Sequence, residues 1–355
     1  MHLSDVRLGL HSESGRRWGA ERVVEVAETL KKTIEQAAEE KIDLVLIAGG
    51  LFAHRPVTTE LSEADRIFSA YPGIRFVIVS GEWDQIRDNS PVLSFHWSEN
   101  VHYVLSGSPV TLDFPNLSTR VYARSVTEQY VNAEELIAAS ENDGDVPVKI
   151  ALCYEPGLEK AMNFDCSAFS YAAFGGRGSH LEIVKNRACY SGGLEPAGMT
   201  DQGVHGYYTG EISEVTGALT DLRFVPAATA SYVPLLVRIN TDTTGEELCR
   251  MLEKEIRKRG VTNIYRIRIA GKKYCDRCFD LSEIREKYRI ADLIDETEPQ
   301  YDFEALFDEH RQDMIGYFIS SLRNNQAEMP EIDRKAMFYG IDALLKTQEK
   351  EGFLS

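Results

Sequence analysis

The chain has 355 residues, of which 43% are hydrophobic and 27% charged, with a formal net charge of −17. That length leaves room for two or three domains, and the composition is that of a folded rather than a disordered chain. The acidity argues against a stand-alone nucleic-acid grip, which normally needs a basic face to neutralise phosphates.

Residues 1–4 form the first predicted strand, shorter than the usual five or six residues. Either that strand is stunted or the start codon lies upstream. Met1-His-Leu-Ser-Asp5 lacks the basic and apolar regions of a signal peptide, and no apolar run approaches the roughly 20 residues that span a bilayer. Residues 21–41 place Val23, Val26, Leu30, Ile34 and Ala37 at helical spacing, which predicts an amphipathic helix over a sheet. Its charged residues between Glu25 and Glu40 read as a solvated face. Leu44–Ala48 follows as a continuous apolar strand, and the order repeats with a helix at Leu61–Tyr71, a Pro72-Gly73 break and a strand at Arg75–Ser80.

From residue 101 the texture changes to short strands at 101–105, 109–112, 118–123, 149–153, 171–174, 206–212 and 219–225. Such a series suits two packed sheets flanked by helices. Pro226 and Ala227-Ala-Thr-Ala230 mark a boundary. Val233–Ile239, a helix at Gly245–Arg259 and Asn263–Ala270 make a strand–helix–strand unit. The stretch 281–355 reads as largely helical, with Tyr317, Phe318, Ile319 and Leu322 on one stripe and Met337, Phe338, Ile341, Leu344 and Leu345 on another. Its acidic run Asp292–Glu298 reads as a solvated face.

The chemistry-bearing residues gather at the carboxyl ends of the buried strands, where α/β proteins hold their ligands. In order they are Asp5-Val-Arg7, Gly49-Gly50, Gly81-Glu82-Trp83-Asp84, Cys153-Tyr154-Glu155 and Gly175-Gly176-Arg177-Gly178. Arg7-Leu8-Gly9, Leu51-Phe52, Ser90-Pro91, Tyr190-Ser-Gly-Gly-Leu-Glu-Pro196 and Gly203-Val-His-Gly206 flank them. This series resembles the calcineurin-like metallophosphoesterases, and within them the SbcD/YhaO-like DNA repair exonuclease subunits. The likeness covers residues 1–230 well and the remainder loosely.

The resemblance implies an α/β fold: a four-layer α/β/β/α sandwich over 1–230, an α+β cap over 231–300 and a helical segment over 301–355. It also implies a homodimer working with an SbcC-like ATPase on DNA. The family motifs are Asp-x-His, Gly-Asp, Gly-Asn-His-Asp, a lone His and Gly-His-x-His. Carried over one by one, Asp5 is kept and Arg7 replaces the second ligand. Gly50 stands for the bridging aspartate, Glu82 for the Asn ligand and Trp83 for the catalytic His. Asp84 is kept, Tyr154 takes the lone His, and Gly176 and Gly178 replace both His of the last motif.

A two-metal site needs several imidazole and carboxylate ligands to clamp an in-line displacement. An indole N–H, moreover, cannot serve as a general acid near neutral pH. No catalytic residue and no metal cofactor are therefore expected. The bulky Arg7, Trp83 and Tyr154 are expected to fill the metal cavity, with Arg7 or Arg177 supplying positive charge to Asp5, Glu82 and Asp84. Two alternatives stay open. One is an active Mn2+- or Mg2+-dependent exonuclease or phosphodiesterase rebuilt on Asp5, Glu82, Asp84 and His180. The other is a DNA-end or phosphate-binding module using Arg7 and Arg177.

Other candidates have plainer readings. His205 reads as structural, and His54 and His96 lack partners at ligand spacing. The six scattered Cys suit a reducing cytoplasm better than a disulfide framework, and no membrane association is expected. Cys275-Asp-Arg-Cys278 has no second Cys/His pair and reads as structural rather than as a zinc or redox motif.

Overall fold

The structure is a computed structural model that describes all residues except 129–132, 142–143, 145, 275–276, 302, 323–330 and 353–355. It is a mixed α/β protein whose two large sheets are mostly parallel. The chain divides into two units, Met1–Val233 with Thr262–Ile264, and Pro234–Val261 with Tyr265–Ser355.

In the first unit, β1 (His2–Leu3) leads through a loop to α1 (Gly19–Glu39). There follow β2 (Leu44–Ala48), α2 (Thr58–Ser69), β3 (Arg75–Val79) and β4 (Val101–Tyr103). Next come β5 (Val110–Phe114), β6 (Thr119–Arg124), α3 (Glu135–Glu141), β7 (Val148–Tyr154) and α4 (Leu158–Asn163). The unit continues with β8 (Tyr171–Gly175), β9 (Leu181–Val184), β10 (Ala188–Tyr190), β11 (Gly206–Ile212) and β12 (Leu219–Pro226). One sheet has the order β12-β11-β1-β2-β3-β4 and the other β5-β6-β7-β8-β10-β9.

Strand alternation sorts the side chains into three apolar clusters. Val45, Ile47, Phe76 and Ile78 pack with Leu30 and Ile34 of α1 and with Leu61 and Phe68 of α2. Their neighbours Leu46, Ala48, Val77 and Val79 turn the other way and share a cluster with Val121, Ala123, Ile150, Leu152 and Ala173 of the second sheet. Tyr122, Cys153 and Phe174 pack with Leu136 of α3 and Ala161 of α4. Continuous apolar runs such as Leu-Val-Leu-Ile-Ala are what a strand covered on both faces requires.

In the second unit, β13 (Tyr232–Ile239), whose first residues belong to the first unit, precedes α5 (Gly245–Arg259) and β14 (Ile264–Tyr274). After α6 (Ser282–Lys287) and β15 (Arg289–Gln300) come α7 (Phe303–Glu309), α8 (Met314–Leu322) and α9 (Glu331–Gly352). Thr244 caps α5 by accepting from the Glu247 N–H, and Gly260 closes it at φ +117°.

Two expectations need correction here. Residues 289–300 are a strand of the β13-β14-β15 sheet, not helix. Its acidic run keeps the expected exposed face, with Asp292, Asp295 and Glu296 partly exposed and paired across to Arg266, Lys273 and Arg268 of β14. Opposite charges facing each other across two strands each add roughly 0.2–1 kcal/mol to the pairing. Tyr317 leaves the predicted stripe and is 66% exposed, whereas Ile319 is buried with Ile315, Met337 and Ile341.

Candidate functional site

The carboxyl ends of β1, β2, β3, β7 and β8 bring most of the predicted positions together. β2 ends at Ala48, and the chain then turns through Gly49 at φ +89° and Gly50 at φ +67°. That left-handed pair lets the backbone run beside the end of β1. The Asp5 N–H donates to the Gly49 carbonyl at 2.9 Å and the Arg7 N–H to the Gly50 carbonyl at 2.8 Å. Asp5 and Arg7 themselves lie at φ 46° and 59°, a left-handed conformation that non-glycine residues seldom adopt. Two such residues in one turn are a strained loop of the kind that clusters at functional sites.

Tyr154, at the end of β7, is 6% exposed, and its ring fills the space between the Gly turns. A Cβ on Gly49 would stand 2.6 Å from Tyr154 Cδ2, and one on Gly81 would stand 2.8 Å from the same atom. A Cβ on Gly50 would meet Asp5 Oδ1 at 2.9 Å. The turns are therefore closed to side chains by the groups already present. Burial, and then the carboxylates of Asp5, Glu82 and Asp84, push the Tyr154 phenol above its ordinary pKa.

Asp84 is 2% exposed and binds the two turns together. Its Oδ1 accepts from the Gly81 N–H at 2.6 Å and the Gly50 N–H at 3.2 Å, and its Oδ2 from the Phe52 N–H at 3.3 Å. Burial raises its pKa to about 6 against the pull of those donors. Asp5, also buried, accepts from the Gly176 N–H at 3.1 Å and from Arg7 Nη2 at 3.4 Å. Burial raises its pKa too, opposed first by the Arg7 charge. Both carboxylates thus face inward toward backbone donors.

Trp83 departs from expectation. It does not fill the cavity but is 52% exposed, with the Arg7 guanidinium carbon 5.8 Å from its ring centroid. The turn that aims Asp84 inward puts Glu82 and Trp83 on the surface. Arg177 lies 5.6 Å from the Tyr190 ring centroid. The Nε atoms of Arg7 and Arg177 are both buried without a hydrogen-bond partner. At Gly178 a Cβ would come within 2.4 Å of Asp201 Oδ1, so Asp201 lies where a side chain from that position would go.

The remaining candidates are placed as follows. His180 stacks on Phe224 with centroids 3.8 Å apart, and its Nδ1 is 3.3 Å from the Val204 carbonyl. His205 is buried, its two ring nitrogens each 3.3 Å from a carbonyl, those of Gly193 and Asp201. Among the described residues no group of three or more His, Cys, Asp or Glu stands close enough to hold a metal ion. Cys153, Cys166, Cys189, Cys249 and Cys278 carry free thiols, and Cys275 lies outside the described residues. No described helix is long and apolar enough to cross a membrane.

Sequence reasoning missed one buried network. Arg22 of α1, 2% exposed, donates to Glu195 Oε2 at 3.2 Å and to Glu25 at 2.7 Å. Glu195 Oε1 accepts from Thr29 Oγ1 and the Thr229 N–H, both at 2.6 Å. Arg22 sits among the polar residues of an amphipathic helix, and only the apolar context of Leu194-Glu195-Pro196 hinted at a buried partner. No protein-family model matches the chain, and no curated protein matches it.

Proposed function

We propose that the chain is a non-catalytic member of the calcineurin-like metallophosphoesterases, related to the SbcD/YhaO-like subunits, serving as a scaffold or regulatory subunit in a DNA-processing complex. The observation that carries this reading is the Tyr154 ring packed against Gly49 and Gly81, where metal ligands would converge. The four-layer α/β/β/α arrangement belongs to the same reading. Supporting it, each sheet has one apolar face toward its own helices, and the two sheets share the cluster between them. A cytoplasmic homodimer with an SbcC-like ATPase is the assembly this reading entails.

The chemistry follows from the side chains present. Asp5 and Asp84 spend their lone pairs on backbone N–H groups and Arg7, so they hold loops rather than ions. A direct test adds Mn2+ or Mg2+ to the purified protein, with elemental analysis alongside a chromogenic phosphodiester assay. Metal at one or two equivalents, with hydrolysis abolished by Asp5→Ala and Glu82→Ala, would instead establish the active enzyme. Co-expression with the ATPase is expected to yield a complex by co-purification.

A second reading has its own support. The unpartnered Nε atoms of Arg7 and Arg177 and the half-exposed Trp83 suit a pocket that binds phosphate without cutting it. Phosphate titration of wild type against Arg7→Ala separates this from pure scaffolding.

A further inference from the structure

A cavity of about 390 Å³ opens in the first unit at the amino ends of β2, β3 and β6, opposite the strand ends that carry Asp5 and Asp84. Both sheets contribute to its walls. Arg75 opens β3, and alternation turns it to the same side as Val77 and Val79, toward the second sheet. His102 of β4 stands level with Val77 and meets Phe114 of β5 edge-on, with ring centroids 5.2 Å apart. Asp43, one residue before β2, adds a carboxylate, and the turn at Pro115–Leu117 completes the wall.

Two opposite charges line this cavity without meeting. The Arg75 N–H donates to the Asp43 carbonyl at 2.9 Å, so their main chains are neighbours. Yet among the described residues neither the Arg75 guanidinium nor the Asp43 carboxylate has a hydrogen-bond or ion-pair partner. The Met1 amine, whose charge Asp43 favours, donates instead to the Leu44 carbonyl at 2.9 Å. Asp113, also in the wall, is taken by Arg120. Burial, and then the Arg75 charge, lower the His102 pKa, so at pH 7 its imidazole is neutral and offers one N–H. A single solvated Arg or Asp would call for no explanation. Here the nearest partner for each is the other, and the fold keeps them apart beside a space large enough for a small organic molecule.

We infer that this cavity is a binding site for a free apolar amino acid, with its carboxylate on Arg75 and His102, its ammonium on Asp43 and its side chain against Phe114, Pro115 and Leu117. The guanidinium fork matches a carboxylate through two parallel hydrogen bonds. A simple anion or a simple cation answers only one of the two charges, and Asp43 and Asp113 repel a phosphate dianion. The site lies apart from the Asp5 turn and holds under either functional reading of that turn.

Calorimetric titration of the full chain with L-phenylalanine, L-leucine and L-methionine tests this assignment. Hydrocinnamate, which lacks the ammonium, phenethylamine, which lacks the carboxylate, and inorganic phosphate probe each charge alone. At least one amino acid is expected to bind saturably with Kd below about 1 mM, and the three single-charge probes about 10-fold or more weakly. Arg75→Gln and Asp43→Asn, each checked for an unchanged Tm, are expected to weaken amino-acid binding about 10-fold or more, whereas Arg7→Ala leaves it intact. In wild type the ligand is expected to shift the His102 ring resonances, assigned with His102→Gln. Absence of saturable binding, hydrocinnamate or phosphate binding as tightly as the amino acid, unchanged affinity in either folded variant, or a still His102 ring would each overturn the inference. Loss of binding in Arg7→Ala would overturn it too, placing the ligand at the Asp5 turn.

Discussion

Replacing Asp84 tests how the two Gly turns are held. Asp84→Ala removes the acceptors of three backbone donors, Gly50, Gly81 and Phe52, all in a buried setting. Each orphaned donor costs on the order of 1–3 kcal/mol, so even after relief of the buried charge the net loss should be about 3–5 kcal/mol. Asp84→Asn can keep its amide oxygen toward Gly50 and Gly81 and sets an NH2 against the Phe52 N–H, losing only the 3.3 Å contact, about 1–2 kcal/mol.

The pH dependence separates these variants further. The folded carboxyl titrates at about 6 against an ordinary 3.8, so between those values the folded state binds more protons than the unfolded one. Stability contributed by Asp84 is therefore greatest below pH 4 and falls as pH rises to about 6, by roughly 3 kcal/mol in all. Asp84→Asn does not ionise and escapes that loss. It should be less stable than wild type at pH 4 and equal or more stable at pH 7.5. Urea unfolding at several pH values measures this, and the difference between the two curves cancels Asp5, which also titrates high. A constant difference across pH 4–7.5, or equal losses for Asn and Ala at pH 7.5, would refute the account.

Tyr154→Ala removes the ring between the Gly turns and should cost about 3–5 kcal/mol in urea unfolding, as for other buried aromatics; a loss under 1 kcal/mol would mean the ring is not packed as described. Gly50→Asp must adopt φ +67° against Asp5, so it is expected to lower stability by about 1–3 kcal/mol and to bind no Mn2+ by calorimetry. Arg22→Ala strands the Glu195 carboxylate and should cost about 3–5 kcal/mol, whereas Arg22→Ala with Glu195→Gln recovers part of that loss.

Much of this architecture can be read from the chain itself. Leu44–Ala48 and Arg75–Val79 announce buried strands because both faces are covered, so their apolar runs need no alternation. The site was half legible. Spacing located the five loops, but residue size alone suggested that Trp83 and Tyr154 would both turn inward. Only Tyr154 does, because its place at the end of β7 sets its ring against Gly49 and Gly81, while the Asp84 turn carries Trp83 outward. β15 was hidden because Asp292–Glu298 looks like a helical acidic face until its basic partners on β14 are known. The Arg22–Glu195 pair was invisible because its halves lie far apart in sequence and each looks like a surface residue.

The pairing of His2 with Tyr208 sets a schedule for synthesis. β1 emerges from the ribosome first, but its β11 partner follows after about 200 residues, roughly 10–40 s at ordinary elongation rates. Until then the β1–β2 end of the first sheet presents an uncovered strand edge, a template for unwanted pairing with neighbouring chains. A late, non-local closure of this kind is also the slow step expected of such a topology. The nascent chain is thus most in need of chaperone protection before residue 208 is made, and least once β11 has docked.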